Sequence, residues 1–352
     1  MGTVNEMVDF FKQRLGWHRS RLVCLCNTML ALIQVRTVNL AELAAAFAGP
    51  ATEASNYKRL QRFVKDPLDE DPFALALASL LSSPDRWILI VDRTNWEIGS
   101  KLVNVLFLAI AHQGAAIPLL WMMLDKKGNS NTAERIALME RFLRLFGRDR
   151  IQCLTGDREF IGKKWVQFLL DRDIPFRLRI KANNLLATAR GLPVRAANLF
   201  RFLSVDHYAI LRGQRRIWGQ DLHIVGLRLS KGEFLILITA HDPDTALDDY
   251  ARRWEIETLF GCQKSRGFRF EDTYLTHPER LSKLIAVLTL TFCWAHTVGE
   301  WLYACKPIRL KKHGRRSVSI FRLGLDWLRR ILTNIFNKPS DLGAVFQILS
   351  CT

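Results

Sequence analysis

The stretch Arg86-Trp-Ile-Leu-Ile-Val-Asp92 holds five consecutive apolar residues and ends in a carboxylate. An unbroken apolar run of this length is typical of a β-strand that is buried on both faces of a sheet. A second short apolar segment, residues 151–155, leads through Gly156 to another carboxylate, Asp157. If the two segments form neighbouring strands, both aspartates lie at the same edge of the sheet. The sequence therefore predicts two carboxylates close together, each at the end of a buried strand.

The segments around these two strands complete an α/β pattern. Apolar runs of strand length and segments with helical periodicity alternate along the chain, and they predict strands at 102–111, 115–123 and 175–180 and helices at 132–146 and 163–170. The resulting order is three strands, a helix, a strand, a helix and a strand. This order predicts a mixed sheet flanked by helices.

The flanking regions differ in pattern from this core. Helical periodicity predicts helices at 4–15, 20–35, 40–47, 54–64, 72–81, 245–264, 278–304 and 320–334, and alternating apolar residues predict strands at 208–211, 217–229 and 234–239. We therefore expect an N-terminal helical region at 1–84, an α/β core formed by 85–181 and 241–304, a β-rich insertion at 182–240, and a basic linker with a C-terminal helix at 305–352.

The charge of the chain indicates a polyanionic partner. Lys and Arg number 51 and Asp and Glu number 34, so the formal net charge is +17. With 49% hydrophobic residues, the 352-residue chain can bury a sizeable core, which excludes a disordered protein. A folded protein with this excess of positive charge attracts nucleic acid or an anionic surface.

Features of membrane and secreted proteins are missing from the sequence. The N-terminus lacks a basic flank followed by an apolar run, and the apolar stretch 284–298 is shorter than the ~20 residues of a membrane span. The seven cysteines are odd in number and scattered, which is typical of reduced thiols. We therefore expect a cytoplasmic protein with no membrane partner.

Residues 40–47 and 54–64 have the length and spacing of a helix-turn-helix. The second predicted helix carries Lys58, Arg59 and Arg62, which suit contacts with DNA. An ordinary helical hairpin with a solvated basic face explains the same residues equally well. Both interpretations stay open at the level of sequence.

A second helical segment carries a polar stripe. Tyr250, Arg253, Glu257 and Lys264 are spaced 3, 4 and 7 residues apart, which on a continuous helix places them within about 60° of one another. The apolar residues of the same segment fall on another arc, so the helix can be half buried while it presents the stripe. Taken alone, the stripe is also explained by an exposed ion-pair helix.

The run Tyr250-Ala-Arg-Arg253-Trp-Glu-Ile-Glu257, followed by Lys264, resembles the Y-x2-R-x3-E-x6-K signature of one large family of bacterial insertion-sequence transposases of the DDE type. Asp92 and Asp157 resemble the first and second catalytic aspartates of that family. The resemblance implies an RNase H-like core, a β-rich insertion before the catalytic glutamate, and activity on DNA.

The resemblance also implies roles for particular residues. Asp92, Asp157 and Glu257 would be catalytic and would bind two Mg²⁺ or Mn²⁺ ions, with Asp92 contacting both. Glu159 competes with Asp157 for this role, and Glu255 competes weakly with Glu257.

Other residues of the resemblance are expected to contact DNA. Tyr250, Arg253 and Lys264 would bind phosphates of the transposon end, and Trp254 would lie beside the site. Trp218 is our candidate for an aromatic residue that supports a flipped base. A tryptophan in the core of a β-strand is an equally good explanation of Trp218.

We therefore predict a DNA transposase that binds terminal inverted repeats, cleaves the ends by hydrolysis and inserts them into target DNA by transesterification, by a cut-and-paste route. A homodimer is expected in the synaptic complex because two ends are joined in concert. The alternatives are an RNase H-like, metal-dependent nuclease that does not transfer strands and a non-catalytic DNA-binding protein from a decayed element.

Overall fold

The computed structural model of the protein describes residues 2–81, 85–312, 314 and 316–333. The chain divides into two compact units. Unit 1 consists of Met1–Ser82, Asn95–Val103 and Thr258–Thr352, and unit 2 consists of Ser83–Thr94 and Asn104–Glu257. The predicted end of the last helix at residue 334 and the rest of the predicted C-terminal region to residue 352 lie outside the described residues. The boundaries of the predicted domains stay a prediction.

The helices lie close to the predicted positions. They are α1 (Gly2–Leu15), α2 (Arg19–Val35), α3 (Leu40–Ala45), α4 (Glu53–Lys65), α5 (Glu70–Ala78), α6 (Thr132–Phe146), α7 (Lys163–Asp171), α8 (Ala246–Ala251), α9 (Glu255–Gly261), α10 (Pro278–Cys305) and α11 (Ile320–Thr333). Asn39 caps α3 by accepting a hydrogen bond from the backbone of Ala41, and Asn131 and Glu134 form a capping box at α6. These side chains satisfy backbone donors that the first helical turn leaves free.

The strands are β1 (Trp87–Ile98), β2 (Lys101–His112), β3 (Ala115–Leu124), β4 (Ile151–Gly156), β5 (Phe176–Ile180), β6 (Leu185–Ala187), β7 (Pro193–Arg195), β8 (Tyr208–Ile210), β9 (Arg215–Ile217), β10 (Gln220–Arg228) and β11 (Phe234–Thr239). The main sheet has the order β3-β2-β1-β4-β5-β11-β10-β8, with β9 paired to β10. β1, β4 and β5 are parallel neighbours, whereas β3 is antiparallel to β2 and β11 is antiparallel to β5. The predicted α/β fold with a mixed, RNase H-like sheet flanked by helices is therefore confirmed.

The strands of the predicted insertion continue this sheet. Ile236, Leu237 and Ile238 of β11 pair with residues 178–180 of β5, and β10 and β8 follow β11 outward. Gly226 of β10 packs directly on Phe200, since a Cβ at Gly226 would lie 2.4 Å from the ring. The β-rich character predicted for residues 182–240 is thus present. β8, β10 and β11 extend the main sheet, whereas β6 and β7 pair in a separate two-stranded sheet.

Strand β1 is longer than the sequence analysis predicts. The prediction that it ends at Asp92 is wrong, because β1 continues to Ile98. Thr94, Trp96 and Ile98 are buried while the residues between them are more exposed. Beyond Asp92 the side chains of β1 therefore alternate between buried and more exposed positions. The prediction ended the strand too early because it was based on the continuous apolar run alone.

The predicted helix at 245–264 is also interrupted. A 3₁₀ turn at Arg252–Trp254 separates α8 from α9, and a π-helical turn follows at Cys262–Arg266. Lys264 has φ −81° and ψ −121°, which is not helical. A single continuous helix is therefore a wrong prediction, and the phase angle calculated for Lys264 does not apply.

Unit 1 is built around α10 and α11. A Cβ at Gly324 would lie 1.9 Å from the carbonyl oxygen of Ala295, and a Cβ at Gly299 would lie 2.0 Å from that of Ile320. The two helices thus touch backbone to backbone at their glycines. α10 is long and apolar enough to cross a membrane, yet 94% of its most apolar window is buried inside the protein, which is typical of a core helix.

The contact between α10 and α11 leads to a test of packing. We expect Gly324→Ala to lower the free energy of unfolding by at least about 2 kcal/mol, because the added methyl group meets backbone atoms that cannot rotate away. Urea denaturation followed by circular dichroism measures the loss. Glu279→Ala, at an exposed position in the first turn of α10, is the control and should cost less than about 1 kcal/mol. Equal stability of the two variants would contradict the backbone contact.

Candidate active site

Two neighbouring parallel strands bring Asp92 and Asp157 together. In the pairing of β1 with β4, Val91 lies opposite Gly156, so the two aspartates follow at adjacent positions. Gly156 has no room for a side chain, since a Cβ there would lie 3.0 to 3.1 Å from Leu178, Phe160 and Val91. The tight packing behind Asp157 holds it beside Asp92, as the sequence predicts.

Arg253 links Asp92 to Glu257. The Arg253 Nη1 donates a hydrogen bond of 2.9 Å to Oδ2 of Asp92 and lies 3.9 Å from Oε1 of Glu257. The Arg253 side chain is 5% exposed, whereas that of Glu257 is 53% exposed. The buried guanidinium therefore gathers two carboxylates that are distant in sequence, and one of them remains open to solvent.

Asp157 has two partners of its own. The hydroxyl of Tyr250 donates to Oδ1 of Asp157 at 3.3 Å, and Nη1 of Arg179 on β5 lies 3.5 Å from the same oxygen. The sequence analysis did not identify Arg179. An arginine within a short apolar strand is a signal that could have found it, because a buried guanidinium requires an acidic partner.

A second arginine of β5 fixes the helix that carries Tyr250. Arg177 is buried and pairs with Asp249 of α8, with Nη2 at 3.0 Å from Oδ2. Arg177 also donates to the hydroxyl of Thr239 at 2.8 Å and to the carbonyl of His241 at 3.0 Å. These hydrogen bonds satisfy the buried charge and tie α8 to the sheet.

The environment of Asp92 disfavours its charged form. Burial raises the pKa of Asp92 to about 6, and Glu257 and Glu159 add to the rise, while Arg253 and the backbone of Arg93 oppose it. Burial therefore outweighs the ion pair. A carboxyl group that is easily protonated in this way is typical of functional sites.

The two competing glutamates are engaged elsewhere. Glu159 accepts hydrogen bonds of 3.2 and 3.3 Å from Arg93, whose guanidinium also contacts Asn104 and Asn129. Glu255 is buried and pairs with Arg252. These contacts favour Asp157 and Glu257 over their neighbours.

The aromatic candidates differ in position. The Trp254 side chain is 61% exposed, and the guanidinium carbon of Arg253 lies 5.0 Å from its ring centre. Trp218 lies in the turn between β9 and β10 with φ +51°, where it is half-buried. The interpretation of Trp218 as a strand-core residue is therefore wrong. The proposed contact with a flipped base stays a prediction.

The structure gathers part of the predicted set in unit 2. Asp92, Asp157 and Glu257 lie there together with Tyr250, Arg253, Trp254 and Trp218. The remaining candidates, Lys264, Lys58, Arg59 and Arg62, belong to unit 1. Lys58, Arg59 and Arg62 are exposed along α4.

The donor atoms of the site suit hard divalent cations. Asp92, Asp157 and Glu257 offer carboxylate oxygens, which Mg²⁺ and Mn²⁺ prefer. Asp92 and Asp157 lie at adjacent strand positions, and Glu257 shares a guanidinium with Asp92. The residues present therefore fit the ions that the family resemblance implies.

Comparisons with known proteins agree with this chemistry. A family model described as "Transposase DDE domain" matches residues 83–294, which is more than half of the chain. The chain therefore belongs to the transposase DDE domain family. It is similar to the solved structure of a piggyBac transposase in a synaptic complex with hairpin DNA, with 11% identity and a TM-score of 0.47 over 99% of this chain and 82% of that one. No curated protein matches the chain. At that TM-score, the assignment rests on the family model alone.

The ion pair between Arg253 and Asp92 can be tested by titration. Because Arg253 lowers the pKa of Asp92, Arg253→Gln should shift the titration of Asp92 above pH 6, whereas Arg253→Lys should keep it closer to 6. Carbon-13 NMR of labelled aspartate carboxyl groups measures this shift, and Asp92→Asn assigns the resonance. An unchanged midpoint in Arg253→Gln would show that Arg253 does not act on Asp92.

Proposed function

We propose that the protein is a metal-dependent DNA transposase with the Y-R-E-K signature, which cleaves the terminal inverted repeats of its own insertion sequence and joins the ends to target DNA. One observation carries this proposal. Asp92 and Asp157 directly follow Val91 and Gly156, the last paired residues of two parallel strands, and Arg253 lies near both Asp92 and Glu257. The family to which the chain belongs supports the same function.

The three carboxylates would hold two Mg²⁺ or Mn²⁺ ions. Such ions activate the attacking oxygen and stabilise the leaving oxygen of a phosphodiester. Asp92 is the more buried of the two aspartates, with 14% of its side chain exposed against 29% for Asp157. Arg253 orients Asp92, and Tyr250 with Arg179 orients Asp157, so the carboxylate oxygens are fixed before DNA binds.

The residues around the carboxylates would position DNA. Trp254 is exposed and stacks near the Arg253 guanidinium, so its ring is accessible to a nucleotide. We propose that Tyr250, Arg253 and Lys264 contact phosphates of the transposon end and that Trp218 supports a displaced base. Tyr250 and Arg253 are buried and bonded to Asp157 and Asp92, so their phosphate contacts require an exchange of these partners when DNA binds. The support for Trp218 is its place in a hairpin turn, where the ring is only half-buried.

The remaining proposals concern assembly and location. We propose that two copies of the chain act together in the synaptic complex, because both ends of the element are joined to one target. The reaction would follow a cut-and-paste route. Its place would be the cytoplasm, with the protein bound to the nucleoid.

The carboxylates provide the central test. Asp92→Ala, Asp157→Ala and Glu257→Ala should each lower cleavage of a terminal-repeat duplex at least ~100-fold, a loss of about 2.7 kcal/mol in transition-state stabilisation. DNA binding should change little, because basic residues supply the affinity. Gel analysis of cleavage and strand-transfer products in Mg²⁺ or Mn²⁺ measures the reaction, and fluorescence anisotropy measures binding.

The matched control is Asp248→Ala, which removes an exposed carboxylate on α8 and should cleave normally. If Glu257→Ala cleaves DNA at the wild-type rate, the third metal ligand is a different acidic residue. Cleavage without strand transfer in the wild-type protein would favour the nuclease, and binding without cleavage would favour the decayed element.

Helix α4 supplies a second test. Asn56 is buried and donates to the carbonyl oxygen of Ala44, which joins α4 to α3, while Lys58, Arg59 and Arg62 face solvent. We expect Lys58→Ala combined with Arg62→Ala to reduce binding of a terminal-repeat duplex by ~10-fold or more, a loss of about 1.4 kcal/mol. Anisotropy with repeat and scrambled duplexes measures affinity and preference.

The full-length protein is required for this test, because α4 packs on α2 and α10 within unit 1. Lys12→Ala, at an exposed position of α1, is the control for a loss of positive charge. If Lys12→Ala weakens duplex binding by the same factor, α4 is only one part of a diffuse basic surface. If the α4 variant loses affinity equally for the repeat duplex and the scrambled duplex, α4 contacts phosphates and does not read the sequence.

A further inference from the structure

Three arginines line a cavity whose lining residues all belong to unit 1. The cavity has a volume of about 500 Å³, and Arg36, Arg266 and Arg322 line it together with the hydroxyl-bearing residues Thr258 and Ser319. All of these side chains can donate hydrogen bonds. Val318 and Phe321 add an apolar part to the lining, while its hydrogen-bond donors are suited to an anion.

Arg36 is held at this cavity by its backbone and its side chain. It caps the C-terminus of α2 in the left-handed conformation, with φ +60°, and its Nη2 donates to the carbonyl oxygen of Arg266 at 3.0 Å. The Nε of Arg36 is buried and has no hydrogen-bond partner among the described residues. One donor of Arg36 is therefore not satisfied by the described part of the protein.

Positive charge around Arg36 exceeds the negative charge that offsets it. Burial lowers the pKa of Arg36, and Arg322, Arg329 and Arg269 lower it further by repulsion. Asp326 acts in the opposite direction, but its carboxylate already accepts a hydrogen bond of 2.6 Å from Nε of Arg322. An anion in the cavity would relieve the repulsion between the arginines.

Cys262 also lines the cavity and does not oppose an anion. Burial raises the pKa of Cys262 to about 12, so its thiol stays neutral at physiological pH. One Arg guanidinium group can donate hydrogen bonds to two oxygens of the same phosphate, whereas a halide ion offers a single acceptor. The arginines of the cavity are therefore better suited to phosphate than to a halide.

We infer that the cavity between Arg36, Arg266 and Arg322 binds a phosphate group, supplied either by the DNA backbone or by a free oligophosphate. The backbone source rests on the proposed DNA transposase function, whereas the oligophosphate source does not. The Arg322 side chain is 39% exposed and therefore accessible from solvent.

The DNA arm of the test compares full-length variants in duplex binding at several salt concentrations. Each phosphate contact contributes about 0.9 to the slope of log K against log salt. Arg322→Gln should reduce the slope by about one and weaken binding several-fold. Asp326→Asn should strengthen binding, because it releases Arg322 from its acidic partner. Arg201→Gln, at an exposed position in unit 2, should leave the slope unchanged.

The second arm uses inorganic tripolyphosphate and measures the thermal unfolding of each protein at constant ionic strength. Tripolyphosphate should raise the unfolding temperature of the wild type and of Arg201→Gln more than that of Arg322→Gln. If tripolyphosphate stabilises the wild type more than Arg322→Gln while the salt slope for duplex binding is the same in both, the proposal is supported with a free oligophosphate as the source. A changed slope supports it with the DNA backbone as the source.

Unfolding without ligand checks that each variant is folded, and Arg36→Gln serves as a second probe of the same cavity. The proposal is overturned if Arg322→Gln and Arg36→Gln keep the wild-type salt slope and also respond to tripolyphosphate as the wild type does. Measuring DNA cleavage by the same variants distinguishes failure of the cavity proposal from failure of the transposase proposal. If duplexes are cleaved normally while the cavity binds no phosphate, only the cavity proposal fails.

Discussion

The guanidinium of Arg253 is the interaction on which the carboxylate site depends. Asp92, Asp157 and Glu257 carry like charges in a partly buried region, and like charges 4 Å apart repel by about 4 kcal/mol at an effective dielectric constant of 20. Arg253 contacts Asp92 directly and Glu257 at 3.9 Å, and Arg179 faces Asp157. Two arginines against three carboxylates leave an excess of one negative charge. The pKa of Asp92 is raised to about 6 mainly because the carboxyl group is buried, with smaller contributions from Glu257 and Glu159, and Arg253 offsets only part of this rise.

A buried ion pair outside the site holds Arg253 in place. Arg177 on β5 binds Asp249, which immediately precedes Tyr250 on α8. Tyr250 packs with Val225, Leu237 and Ala246 in a buried cluster, so its hydroxyl reaches Asp157 from a fixed ring. The 3₁₀ turn at Arg252–Trp254 then presents Arg253 to Asp92. The strands that continue the sheet beyond β5 therefore also support the helix that completes the site.

The sequence was sufficient to predict the features that depend on local patterns. The apolar run before Asp92 and the segment before Asp157 identified two buried strands, because continuous burial leaves a continuous apolar sequence. The pairing of β11 with β5 could not be predicted in this way, since alternation defines a strand but not its neighbour. Arg179 was missed for a related reason. Its partner, Asp157, is distant in sequence, and only the parallel pairing of β4 with β5 brings them together.

The assumption that the Y-R-E-K motif lies on one regular helix is wrong. Equal spacing of 100° per residue predicted one stripe, but the chain changes to a 3₁₀ turn at Arg252 and to a π-helical turn at Cys262. The hydrogen bond from the backbone of Phe268 to the carbonyl oxygen of Cys262 closes that turn, and Gly267 fits there because a Cβ would lie 2.3 Å from the same oxygen. Tyr250, Arg253 and Glu257 keep their common site because tertiary contacts, not helical phase, determine their positions.

The residues to which we assign catalysis and most of those to which we assign DNA binding fall in different units. The carboxylates belong to unit 2, whereas α4, the arginines around the cavity and Lys264 belong to unit 1. Affinity for a polyanion depends on the number of cations that meet phosphates, and it falls with salt. Rate depends on how precisely the reacting groups are held, and in the proposed function these groups are the carboxylate oxygens of Asp92, Asp157 and Glu257. Because the two sets of residues are in separate compact units, a substitution that weakens one set need not disturb the packing of the other. Glu257 directly precedes the boundary at Thr258, so the motif spans one of the four points at which the chain passes from one unit to the other.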